Sequence, residues 1–430
     1  VRIDLIVKAA ALLSAPGEAI DHDVTLLIQN GRILDILSSS ALTENAFQAT
    51  RIIERPHGLV MPGLINAHTH APMTLFRGLA DDLPLSTWLE DHIFPREAHL
   101  TPDLIELGTE LACAEMIRSG TTSFVDMYLF EDTIASVVDR VGMRAWLGEG
   151  IFDFSTPAFQ NGHEALKETD RLMKKWQGHD RISITVDPHT PYTCQAELLQ
   201  KSAAFARENG CLFVIHVAET AWEDRVIRQK TGLSSVGYLD SIGCLADNTI
   251  AVHSVVLSDE DIELYASRGV TVVHCPESNL KLASGISPVP NLLAKCVNVC
   301  LGTDGAASNN DLDMFGEMAT CARIHKGISN NPTVLPAHTV LEMATVSPSK
   351  ALGLNGLGRL ESGCAADFIV VDFRKPHLMP CTNYMSHLVY AAKGSDVQDV
   401  VVAGRLLMED RKLLTIDEEA CLEKIASLAG

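Results

Sequence analysis

Eight strand-like apolar runs lie in the middle of this 430-residue chain; four of them end on histidine or a carboxylate, and two more carry a histidine within their last three residues. The runs are GLINAHTH (63–70), TTSFVDMY (121–128), RAWLGEG (144–150), ISITVDPH (182–189), CLFVIHVAE (211–219), TIAVHS (249–254), VTVVHCP (270–276) and NVCLGTD (298–304). Helix-like stretches separate them, among them PDLIELGTELACAEMIRSG, QAELLQKSAAFARENG and DEDIELYASRG, the last two closing on Gly as helix C-termini often do. Eight β-then-α units are what a (β/α)8 barrel needs. A doubly wound open sheet is the alternative, but polar side chains gathered at strand C-termini favour the barrel, where those ends share one mouth.

The two ends of the chain have another texture. Residues 1–58 alternate short apolar runs with turns, and Asn30-Gly31 is a hairpin signal because both residues tolerate positive φ. The same pattern returns in ADFIVVDF (366–373) and VQDVVVAGRLLMED (397–410). The expectation is an α/β protein: a TIM barrel over 59–360, with a small β-sandwich built from 1–58 and 361–430.

Composition narrows the function. Against 34 Lys+Arg stand 55 Asp+Glu, a formal net charge of −21, which excludes nucleic acid and anionic lipid as partners that need dense positive charge. Eleven cysteines without a CxxC pair read as reduced thiols and not as a disulfide framework. With no run of about 18 uncharged apolar residues and no signal-peptide pattern, no membrane role is expected and the expected compartment is the cytoplasm.

His68 and His70 stand two residues apart on one strand, hence on one face, where both can reach a single ion. His216 and Asp304 complete a mixed N/O set suited to one divalent metal, Zn²⁺ first and Fe²⁺ or Mn²⁺ next, with room left for water. The fourth strand carries no Lys, so a bridging carbamylated lysine and a second metal there are not expected. A metal of this kind brings the pKa of a bound water toward 7. Glu219, three residues after His216, is the candidate proton donor, and His253 the candidate for orienting the water. For His274, structural and functional readings stand level.

PGLINAHTH, HVAE, AVHS, HCPESNLKL and LGTDGAASNN together resemble the amidohydrolase superfamily, within its nucleobase and triazine hydrolases, and most of all the 5′-methylthioadenosine/S-adenosylhomocysteine deaminases. The resemblance spans essentially the whole chain. It implies His68, His70, His216 and Asp304 as metal ligands, and Glu219 as the acid that protonates the ring nitrogen. By the same resemblance His253 positions hydroxide, and Asp304 also relays a proton to departing ammonia. Trp88 and Glu97, in the long 71–100 excursion after the first strand, are implied as an aromatic wall and a ribose-binding carboxylate, and His189 as a further substrate contact. A homodimer or larger assembly is implied by resemblance alone.

One departure bears on the substrate. Where relatives that accept a homocysteine carboxylate carry Arg, this chain has Glu149, and the following DFSTPAFQNGHEAL has no Arg either. A carboxylate facing the substrate's carboxylate repels it, so Glu149 is expected to favour 5′-methylthioadenosine or adenosine over S-adenosylhomocysteine. The rival readings are a deaminase or dechlorinase of guanine, pterin or s-triazine rings, a cyclic-amide hydrolase, and a non-catalytic scaffold. Glu97 argues against the first, since a bare heterocycle has no ribose diol.

Overall fold

In the computed structural model, which describes residues 2–38, 48–354 and 356–428, the middle of the chain winds as parallel strands alternating with helices. The strands are β5 (Leu64–Thr69), β6 (Thr121–Tyr128), β7 (Arg144–Ile151), a fourth broken into β8 (Ile182–Ile184) and β9 (Asp187–Pro188), β10 (Phe213–Val217), β11 (Thr249–His253), β12 (Thr271–His274) and β13 (Asn298–Leu301). They pair as two parallel sheets, β5 to β9 and β10 to β13. Backbone hydrogen bonds join the sheets on both sides: Val214 N donates to Val186 O at 3.0 Å, and Asp304 N donates to His68 O at 3.0 Å. The ring is therefore closed, as the strand-end histidines predicted.

Nearly every residue of these strands is buried, because side chains on one face fill the barrel and those on the other meet the helices. That accounts for the continuous apolar runs. Helix Pro102–Arg118 starts at Thr101, whose side chain accepts from Leu104 N, and helix Asp259–Arg268 starts at the capping box of Ser258 and Asp261.

Both ends of the chain meet in one sheet of eight strands. β1 (Arg2–Leu13), β2 (Ile20–Gln29), β3 (Arg32–Ser38) and β4 (Gln48–Pro62) are joined by β14 (Phe368–Asp372), β15 (Val397–Val402), β16 (Arg405–Glu409) and β17 (Lys412–Leu413), in the order 17-16-15-14-4-1-2-3. The Asn30-Gly31 hairpin docks on the second arm, where Ala366 N donates to Gly31 O at 3.0 Å. The arms share a core that includes Leu5, Val7, Leu26, Phe368 and Val401. Residues 39–47 of the expected small domain lie outside the described residues. Strand β4 runs through position 58 into the barrel entry. We keep 1–58 with 361–430, and 59–360, as a proposed division of the chain.

A buried, two-pronged ion pair ties sheet to barrel: Arg144 donates from Nε and Nη2 to Asp367 at 2.9 and 3.2 Å. No helix among the described residues is long and apolar enough to cross a membrane.

Candidate active site

The C-terminal ends of the barrel strands bring His68, His70, His216 and Asp304 together. His68 Nε2 lies 3.1 Å from His216 Nε2, and Asp304 Oδ1 lies 3.2 Å from His70 Nε2 and 3.6 Å from His68 Nε2. A metal is tested by what the other ring nitrogens do. His216 Nδ1 hydrogen-bonds the His189 carbonyl at 3.0 Å and His70 Nδ1 the Met127 carbonyl. A carbonyl only accepts, so each Nδ1 carries a proton and each Nε2 is left aimed at the centre. Burial pushes His68 down to about 4 and His216 well below 6.5, which keeps both imidazoles neutral; burial also opposes charge on His70, but its hydrogen bond to Asp304 and that carboxylate's charge raise it to about 9. Burial would raise Asp304, but hydrogen bonds from His68 and His70 and the charges of His70 and His253 override it and hold the carboxyl well below the usual range. Three imidazole nitrogens and one anionic oxygen converging this closely fit a divalent ion of the zinc type, which would take the place of the His70 proton shared with Asp304.

Other residues hold these donors in place. Asp126, in the middle of β6, accepts from Thr69 Oγ1 and Ala71 N, both at 2.6 Å, and so pins the residue between the two histidines and the one after them. Sequence reasoning passed over Asp126, although a carboxylate inside an apolar strand was the available signal. Asp126→Ala leaves that hydroxyl and amide unpaired, and metal affinity is expected to fall 10- to 100-fold. Asp126→Asn retains the acceptor oxygen and should recover most of it. Competition with a chromophoric chelator measures both; equal affinities for all three proteins would remove the positioning role.

Asp304 stands just past β13 with φ of 63°, a left-handed conformation that Asp tolerates better than most residues. Its Oδ2 accepts from Ser278 Oγ at 2.6 Å and Ser308 Oγ at 2.7 Å, and its Oδ1 from Gly305 N at 2.8 Å. His253, also at positive φ, places Nδ1 3.0 Å from Asn279 Oδ1, which fixes the ring and leaves Nε2 toward Glu219 at 3.9 Å. Ser278 and Asn279 belong to HCPESNLKL, yet their roles required the fold. Glu219 is buried; burial raises its carboxyl, and the His253 charge partly offsets that. Its backbone and that of Ala218 donate to Glu223 at 3.0 and 2.7 Å, which holds the turn carrying it.

These groups open onto one cavity. The 71–100 excursion forms one wall with Trp88, buried, and Glu97, whose carboxyl is raised by burial while Tyr128 and His70 pull it back. His189 lines the cavity with Nδ1 3.0 Å from Thr193 Oγ1, its ring 4.6 Å from that of Phe152, itself 5.0 Å from Phe154. Neither phenylalanine was singled out from the sequence, because a loop aromatic has no spacing to mark it.

Glu149 is a correction. It does not face the cavity: its carboxylate accepts from Phe130 N at 3.1 Å and Glu131 N at 2.9 Å, at the start of helix Glu131–Val141. Its neighbour Gly148 faces inward, where a Cβ would lie 2.0 Å from Asp187, and Gly150 lines the cavity. Burial raises Glu149 to about 8, against those two amides. It therefore serves the helix end and cannot repel a substrate group. The other residues expected at the site, His68, His70, Trp88, Glu97, His189, His216, Glu219, His253 and Asp304, surround one space.

Comparison with known proteins follows the same lines. The Amidohydrolase family model matches residues 59–407. A 5-methylthioadenosine/S-adenosylhomocysteine deaminase from Syntrophobacter fumaroxidans is 49% identical over 430 residues, covering 100% of this chain and 98% of its own length. A 5′-deoxyadenosine deaminase from Methanosarcina mazei is 47% identical over 429 residues, covering 99% and 98%. Among solved structures, an adenosine deaminase from Xanthomonas campestris with bound zinc superposes with a TM-score of 0.97 at 38% identity, over 100% of this chain and 98% of that one. An atrazine chlorohydrolase from Arthrobacter aurescens, complexed with zinc, shares the fold at 21% identity, with a TM-score of 0.92 over 99% and 100%.

Proposed function

The chain belongs to the amidohydrolase family, and from that premise we propose that it is a hydrolytic deaminase of adenosine-type nucleosides whose 5′ substituent carries no charge. The observation that carries this reading is one cavity with Glu219 and His253 beside the four-donor cluster and Glu97 on the excursion wall. Relatives named for 5-methylthioadenosine, S-adenosylhomocysteine and 5′-deoxyadenosine support the substrate class.

His68, His70, His216 and Asp304 would hold the metal, zinc in the related adenosine deaminase structure. Its chemistry is to acidify a water at neutral pH. This chain's side chains do the rest. His253, held by Asn279, orients the water toward C6 of the adenine ring. Glu219 gives its proton to N1 as the water oxygen bonds to C6, so the ring accepts the added electron pair without building negative charge. Asp304 takes the proton released by the water and passes it to the amino nitrogen. The C6–N bond then breaks as the C6 hydroxyl becomes a carbonyl and its proton returns to Glu219, and the products are the inosine analogue and ammonia. Glu97 accepts from the ribose hydroxyls, and Trp88 and His189 flank the nucleoside.

Selection against a charged 5′ group rests on the cavity wall in place of Glu149. Among the described residues lining the cavity there is neither Lys nor Arg, and its apolar lining includes Leu85, Leu89, Phe94 and Phe152. Lys281 stands at the outer mouth, where it is paired with Asp81 at 2.6 Å and with Asn310. A homocysteine carboxylate entering here loses water and finds no free cation, at a cost of about 1–3 kcal/mol or more. Accordingly kcat/KM for 5′-methylthioadenosine and 5′-deoxyadenosine should exceed that for S-adenosylhomocysteine by about 10- to 100-fold. Steady-state loss of adenine absorbance measures it, and equal values for all three nucleosides would sink the assignment.

A further inference from the structure

His274 ends β12 beside the site yet takes no part in the chemistry above. It is 1% exposed, and neither ring nitrogen has a hydrogen-bond partner. Buried polar atoms of this kind are nearly always paired in folded proteins. Facing it is helix Met314–Ser329, on which Cys321 and His325 stand four residues apart and so on one face. Both are closed off from solvent, and His325 Nε2 also has no partner. The two rings lie 5.5 Å apart, and one donor atom from each of His274, Cys321 and His325 falls within 4.8 Å of the other two.

We propose that His274, Cys321 and His325 form a second, buried site for a thiophilic d10 cation of the Zn²⁺ type, separate from the cluster of His68, His70, His216 and Asp304. Two imidazoles and a thiolate are a soft donor set matched to such an ion. Burial holds both imidazoles below their ordinary range, His325 to about 4, so each offers a lone pair and not a charge. Cys321 surrenders its thiol proton on binding, which the cation's charge compensates. Glu317, one turn before Cys321, is already engaged with Glu277 N at 3.2 Å and with Asn309, and supplies no ligand. Because all three donors are enclosed, the ion enters as the chain folds and then joins the helix to the end of β12. That strand end is fastened in turn to the loop carrying Asp304, since Gly302 N donates to His274 O at 3.1 Å.

The two sites differ in sulfur, and that makes them separable. Protein expressed in cobalt-supplemented medium should hold two cobalt ions per chain and show a thiolate-to-cobalt charge-transfer band in the near ultraviolet, which a His/Asp site cannot produce. Cys321→Ser should lose the band and one ion. His325→Gln should do the same if Cys321→Ser fails to fold. Cys296→Ser, at an exposed thiol, should leave both unchanged. One cobalt per chain without the band overturns the proposal and leaves a bridging water between the three groups; so does a band that survives Cys321→Ser. Neither readout depends on nucleoside turnover.

Discussion

Glu219→Gln is expected to keep its metal and lose turnover by about 10²- to 10⁴-fold, the usual contribution of a positioned general acid. The substitution is nearly isosteric. Ser284 Oγ, 3.5 Å from Glu219 Oε1, keeps an acceptor, and the backbone bonds of Ala218 and Glu219 to Glu223 do not involve the Glu219 side chain. What disappears is a transferable proton. Burial raises the Glu219 carboxyl, which increases its protonated fraction toward neutral pH, while the His253 charge limits the rise. A Gln amide can hydrogen-bond N1 but cannot protonate it, so attack at C6 leaves charge on the ring. The loss should fall mainly on kcat, with KM changing little. Near-normal kcat at full metal occupancy, measured by atomic emission on the same sample, would take the acid role from Glu219.

The strand-end histidines could be read in advance because the barrel imposes a simple geometry. Every parallel strand points its C-terminus at the same mouth, so a polar residue ending an apolar run is placed without knowledge of its neighbours. His68, His70, His216, His253 and Asp304 needed no more than that. Glu149 misled for a reason within the same geometry. All eight residues of β7 are buried, so no polar–apolar alternation shows which of them face inward. The cavity side turned out to be that of Gly148 and Gly150, and Glu149 went to the helix. Ser278 and Asn279 were likewise illegible: they sit on helix Pro276–Lys281 after β12, and their partners Asp304 and His253 belong to other strands' ends. At the chain termini the hairpin signal placed the strands, but β4 pairs with β14 as well as with β1, and that second pairing, which fuses the two ends into one sheet, joins residues more than 300 positions apart that no local pattern connects.

Asp304 carries two assignments, ligand and base, and Asp304→Asn separates them. The backbone at φ 63° suits Asn as well as Asp. Ser278 and Ser308 hydroxyls can rotate to accept from an amide as readily as they now donate to Oδ2, so the change should fold. The ionised state is the one removed, because hydrogen bonds from His68 and His70 hold the Asp304 carboxyl well below its usual range and it stays charged throughout neutral pH. As a ligand, Asn is neutral and weaker, and metal affinity should fall at least 10- to 100-fold, the range seen even for groups one step removed from the ion. As a base, Asn cannot take the water's proton at all, and kcat should remain depressed by about 10²- to 10⁴-fold after zinc is restored in excess. The decisive measurement is therefore kcat against zinc concentration. A curve that climbs back to the wild-type plateau leaves Asp304 as a ligand only, and the proton relay then passes to His253, the other titratable group held beside Glu219.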